Sequence, residues 1–144
     1  SVAAGKDLGF EVVEMPVRLP EGIESAFAAA VRQGVQAVAI VSSTATITHR
    51  APLCELSLTH RLPTIFANRA YLKTGGLMSY GESMRTAYRG LATYIGKLAA
   101  GANPGEMPVS QPTRFELVIN QKTAKALGVA LPKSILLSAD AVIQ

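Results

Sequence analysis

Apolar positions along the chain alternate between short runs with the spacing of strands and longer stripes with the spacing of helices. Residues 1–9 read as the tail of a helix closed by a glycine cap at Gly9. Residues 10–17 then carry the β-branched content of a strand, with Pro16 placing its end at an edge or bulge. Pro20-Glu21 opens a helix in which Ile23, Phe27, Ala30 and Val31 share a face, and Gly34 closes it. Ala37-Val38-Ala39-Ile40-Val41 is an unbroken apolar run, as expected of a central parallel strand covered on both faces. It empties into the hydroxyl-rich loop 42–48. A helix over 49–60 follows, with Thr48 as N-cap and Pro52 tolerated in the first turn. Residues 63–67 form a third strand that runs into Asn68-Arg69-Ala70-Tyr71.

The stretch Gly75-Gly76-Leu77-Met78-Ser79-Tyr80-Gly81 carries the most information: two turn-permitting glycines, a short apolar strand, then two hydroxyl side chains where the strand stops. From Glu82 to Ala100, the residues Met84, Ala87, Tyr88, Leu91, Ala92, Ile95, Leu98 and Ala99 make one apolar stripe, with Arg85, Arg89 and Lys97 off it. A Gly, Pro and Asn loop over 101–112 leads to residues 113–119, which alternate like a half-buried strand. Asn120 caps a short helix through Leu127, Gly128 ends it, and Pro132 starts a last turn or two.

Strands alternating with helices, the strands nearly continuous in apolar character, imply an α/β fold: a three-layer αβα sandwich around a mostly parallel sheet. Ligands in such sheets bind beyond the carboxyl ends of the strands. Those ends are Arg18-Leu19, residues 42–48, residues 68–71 and residues 79–81, which together offer hydroxyls, an amide, a guanidinium and phenols for hydrogen bonding. Arg69 has the geometry for a bidentate contact with a ligand carboxylate, or, as a surface residue, for bonds to loop carbonyls. Tyr71 and Tyr80 are suited to stacking on a planar ligand or to covering a core edge.

At 144 residues, 49% apolar and 17% charged, the chain has the size and composition of one globular domain with a real core. The net charge of +4 is mild and its cations are dispersed, which argues against a nucleic-acid footprint. No run reaches the ~20 apolar residues needed to span a bilayer, and no charged-then-apolar leader stands at the start. The chain opens at Ser1 without a methionine and reads as a piece of something longer. Cys54, the single cysteine, sits among Leu53, Leu56 and Leu58 and reads as packed core. No dinucleotide fingerprint, phosphate loop or nucleophile elbow is present, and Ser43 and Ser79 lack a neighbouring signature that would activate them. His49 and His60 lie about three helical turns apart and cannot share a metal, while Glu82 has a structural reading at a helix N-terminus. No enzyme, cofactor or metal site emerges.

The runs Leu62-Pro63-Thr64-Ile65-Phe66, residues 75–81, and 111–120 through Thr123-Ala124-Lys125-Ala126-Leu127-Gly128 resemble, in order and over nearly the whole chain, the substrate-binding proteins of ATP-binding-cassette importers. The branch it is similar to includes binders of tryptophan and tyrosine. The resemblance implies a periplasmic binding protein type I-like lobe, the carboxyl-terminal one of two joined by hinge strands, with solute trapped between them. Residues 76–101 would then be a hinge strand plus a helix belonging to the other lobe, and the strand from Phe115 would return to this one. It further implies a small organic, amino acid-like solute, delivery to permease subunits, and a periplasmic or extracellular location, with any membrane anchor outside this segment. By the same resemblance the ligand-binding candidates are Ser42, Ser43, Thr44, Asn68, Arg69, Ser79 and Tyr80. The first loop departs from the pattern: it is small and polar where family members often carry bulky, acidic or aromatic residues, which leaves room for a more polar solute. An isolated lobe would leave the 84–99 stripe seeking a partner, so the chain alone is expected to dimerise. The ligand-sensing core of a transcription regulator, and an α/β enzyme of flavodoxin or Rossmann type, are the alternative readings of the same element order.

Overall fold

A computed structural model of the chain describes residues 2–109, 111 and 114–144. Ser1, Pro112 and Thr113, which figure in the expectations above, lie outside the described residues. Helix α1 (Val2–Asp7) leads to a segment over 10–18 that belongs to no strand of the sheet. The strand expected there is therefore absent among the described residues, because β-branched content alone supplies no ladder partner. Its apolar side chains stay in contact with water, Phe10 at 65% exposure. Helix α2 (Ile23–Arg32) buries Ile23, Phe27 and Ala30 of the face read from its spacing, whereas Val31, expected on that face, is 46% exposed.

Five strands then form one sheet in the order β1 to β5: β1 (Val38–Ile40), β2 (Thr64–Phe66), β3 (Met78–Glu82), β4 (Phe115–Asn120) and β5 (Ala141–Ile143). β1, β2 and β3 run parallel, β4 is antiparallel to β3, and β5 is parallel to β4. The sheet is mostly parallel, and the fold is α/β as expected. Between β1 and β2 lie α3 (Thr44–Thr48) and α4 (Arg50–Thr59); a 3-10 turn (Arg69–Thr74) joins β2 to β3. Helix α5 (Met84–Ala99) and a second 3-10 turn (Pro104–Glu106) fill the excursion from β3 to β4, and α6 (Gln121–Leu127) and α7 (Lys133–Ser138) connect β4 to β5.

The main core cluster packs on the face that Phe66 presents, and Ile119 is fully buried on the other. Ile23, Phe27 and Ala30 from α2, Leu53 and Cys54 from α4, and Leu62, Phe66 and Tyr71 form one buried cluster. Phe66 stacks on Tyr71 at 4.3 Å between ring centroids. Full burial of side chains this large contributes about 1.5–3 kcal/mol apiece. The second face is more open away from Ile119: Ala39 is exposed, and Ile65 and Val142 are 36% and 37% exposed. β1 is consequently an edge strand with one face covered, not the doubly covered central strand expected, and Val41 just beyond it is 81% exposed.

Polar side chains tie this framework together. Buried Thr64 donates its hydroxyl to Ser57 Oγ at 2.9 Å, and Ser57 donates to the Leu53 carbonyl at 2.7 Å, so two buried hydroxyls satisfy each other and a helix turn. Asn120 caps α6, its Oδ1 accepting from the Thr123 N–H at 3.1 Å, and Thr123 donates to the Gly75 carbonyl at 3.0 Å. Gly75 closes the first 3-10 turn at φ 97°, a left-handed conformation that favours glycine.

Candidate functional site

Register brings the strand ends together. Ile40 lies beside Phe66 and Phe66 beside Ser79, so β1, β2 and β3 all finish along one edge, adjacent strands about 4.8 Å apart. Because β4 is antiparallel, its amino end joins the same edge: Gly81 pairs with Glu116, and Glu82 with Phe115. Along this edge lie Ser42, Ser43 and Thr44 after β1, Asn68 and Arg69 after β2, and Tyr80 in β3.

The loop after β1 is more ordered than its composition implied. Residues 44–48 are helical, and Ser43 caps them with a reciprocal box: Ser43 Oγ accepts from Thr46 N–H at 3.1 Å while Ser43 N–H donates to Thr46 Oγ1 at 2.8 Å. Thr46 also donates to the Val41 carbonyl at 3.1 Å, and Thr48 to the Thr44 carbonyl at 2.9 Å. Several of the hydroxyls are therefore engaged within the loop. Ser42 is half-buried; Ser43 and Thr44 are exposed.

After β2, Asn68 Oδ1 accepts from the Ala70 N–H at 2.8 Å and fixes the start of the 3-10 turn. The Ala67 carbonyl presses onto β3 so closely that a Cβ at Gly81 would lie 1.9 Å from its oxygen. This close approach is the mechanical reason for glycine at 81, and it pins the 67–69 loop to the sheet. From that pinned loop Arg69 reaches β4, where its Nη1 stands 3.5 Å from Glu116 Oε2, with the two side chains 59% and 20% exposed.

The two β3 candidates part company, as alternation along a strand requires. Ser79 points into the packed face and is 1% exposed; Tyr80 points the other way, is 54% exposed, and stacks on Phe115 at 5.6 Å and 20°. Glu116 and Phe115 were not among the sequence candidates. The alternation of their strand was readable, but the antiparallel register that carries them to this edge was not.

Cys54 lies in the core and His60 against it, and two acids, Glu82 and Asp140, stand at the strand edge without pairing with Arg69: Asp140 pairs with Arg114 at 3.9 Å. Cys54 is fully buried, its Sγ 3.4 Å from the Tyr71 carbonyl and from Thr74 Oγ1, and burial pushes its thiol above the usual range. His60 stacks on Phe27 at 6.1 Å. Glu82 ends β3 instead of opening α5, whose N-cap is Ser83. Among the described residues no cluster of three or more His, Cys, Asp or Glu could hold a metal, and no helix is long and apolar enough to cross a membrane.

The profile of the ABC transporter substrate binding protein family matches residues 2–143, and the chain belongs to that family. Similar solved structures agree with the fold. A conserved domain protein from Vibrio cholerae superimposes with a TM-score of 0.87 at 20% identity, over 97% of this chain and 47% of the other. An ABC domain from Streptococcus pneumonia, solved in complex with L-Trp, gives 0.86 at 23% identity, over 98% and 49%. The ligand-free, open structure of a substrate-binding protein with adhesive properties from Clostridium difficile gives 0.70 at 16% identity, over 99% and 47%. The chain thus spans about half the length of these structures. No curated protein matches it by sequence.

Proposed function

We propose that the chain is the carboxyl-terminal lobe of a two-lobe solute-binding protein that serves an ABC importer, with no chemistry of its own. The observation that carries this reading is the family match over residues 2–143. Two features support the lobe assignment. β3 and β4 leave and re-enter the sheet side by side. Helix α5 between them has no buried residue, and its stripe stays in water: Met84, Tyr88, Leu91, Ile95 and Leu98 are 43% to 64% exposed. In this reading residues 76–101 are a hinge strand and a helix of the other lobe, and the exposed stripe is its packing face.

The solute would lie against the edge formed by Ser42, Ser43, Thr44, Asn68, Arg69 and Tyr80, with Ser79 supporting the floor from beneath. Contacts from both lobes favour the closed arrangement, so that binding shifts the protein toward closure. A small, amino acid-like organic solute is supported by the neighbour solved with L-Trp, and the small polar loop after β1 favours a more polar one. Delivery to permease subunits, and a periplasmic or extracellular location, follow from the family role. Calorimetric titration of the full-length protein against amino acids and related solutes is expected to show saturable one-to-one binding. Silence across a broad panel overturns the proposal.

A further inference from the structure

We propose that Glu116 is a positioning residue: it presents the Arg69 guanidinium at the strand edge to an anionic group of the solute, a carboxylate by its geometry. This rests on the solute-binding reading above and adds the chemical group recognised.

The backbone beneath Arg69 is fixed at both sides. The Ala67 carbonyl lies hard against Gly81, and the Asn68 side chain holds the Ala70 N–H at 2.8 Å. What remains free is the long Arg69 side chain, and Glu116 restrains its end. The 3.5 Å contact joins one guanidinium nitrogen to one carboxylate oxygen, leaving most of the five N–H donors for another acceptor. Exposure sets the order of the layers: Glu116 is 20% exposed and lies beneath, Arg69 is 59% exposed and lies outermost. The planar fork that remains matches a carboxylate bidentately. Two other acids stand at this edge. Glu82 neighbours Gly81 in β3 and so projects from the opposite face to Glu116. Asp140, just before β5, accepts from the Leu117 N–H at 2.9 Å and pairs with Arg114 at 3.9 Å. Arg69 is thus not shared between two acids, and its outward side is left to the solute. A half-exposed ion pair contributes little to stability, so the value of the pair lies in orientation.

The test titrates the full-length protein with a set of L-amino acids and with the corresponding L-amino acid amides, which differ only at the carboxylate. Wild type is expected to bind the acids about tenfold or more tighter than the amides, the scale of one charge-assisted hydrogen-bond pair. Arg69→Gln should bring that ratio close to one, and Arg69→Lys, which keeps charge but loses the fork, should leave it intermediate. Glu116→Gln should reduce the ratio about threefold to fivefold, as expected for a lost restraint on one side chain, and should have no further effect in the Arg69→Gln background. The thermal midpoint of each variant should stay near wild type, which separates positioning from a role in folding. Acids and amides bound alike by wild type, or a ratio unmoved by Glu116→Gln, overturns this inference and leaves solute binding intact. Binding of neither set overturns both.

Discussion

Gly81→Ala is the sharpest perturbation that the fold offers. The added methyl would stand 1.9 Å from the Ala67 oxygen and 2.8 Å from its carbonyl carbon, where ordinary contact begins at 3.4 Å. Relief therefore needs a separation of about 1.5 Å between two backbone segments, one of them in a sheet strand paired on both sides. Overpacking by one methylene costs roughly 1–3 kcal/mol when side chains can yield; here only backbone can, which points to the upper end, about 3 kcal/mol. For a domain of this length each kcal/mol lowers the melting midpoint by about 2–4 °C, so a fall of about 6–12 °C is expected. Thermal unfolding followed by circular dichroism reads it directly. Gly90→Ala in α5 is the internal control, because nothing lies within 4 Å of its added methyl. Glycine in a helix interior is worse than alanine by about 0.5–1 kcal/mol, so that variant should be unchanged or slightly stabilised. A Gly81→Ala midpoint within about 2 °C of wild type refutes the reasoning about the close approach.

Three further outcomes are expected. Thr123→Val removes the hydroxyl held on the Gly75 carbonyl at 3.0 Å and should cost about 1 kcal/mol, read as a lower denaturant midpoint with unchanged slope. Burial pushes the Cys54 thiol up from 9.0, and the Thr74 hydrogen bond and the Arg50 charge offset this only in part. The unfolded chain then releases its proton first, so stability declines as pH rises past 9, and the decline should be shallower in Cys54→Ala. Because the α5 stripe is exposed, residues 1–144 alone should self-associate; a monodisperse monomer near 15.1 kDa by light scattering contradicts this.

Much of the fold was legible because it is written in local signals. The α2 face followed from the spacing of Ile23, Phe27 and Ala30, and α6 from Asn120 and Gly128 at its two ends. The α5 stripe was legible as a pattern, since its charges and apolar residues separate cleanly. What escaped depends on pairing. Residues 10–17 have strand composition but find no ladder, while the short β5 forms because it lies beside β4. The helix at 44–48 was hidden because its box is closed by a threonine where a glutamate or glutamine is the usual sign. At the candidate site the residues after β1 and β2 were readable from strand ends. Glu116 was not, because its place beside Arg69 follows from the antiparallel return of β4, and sequence spacing carries no trace of that.

That return has an engineering consequence. Glu82 and Phe115 are ladder partners, so residues 83–114 depart and come back roughly 5 Å apart, about the spacing of a hairpin's last pair. Topologically they form a detachable insert whose removal needs no rerouting of the sheet. A two-residue Asn-Gly turn would splice β3 to β4 as an ordinary hairpin, giving a trimmed domain that keeps all five strands in register and sheds the apolar helix. Swapping inserts at the same splice would let one sheet carry different partners.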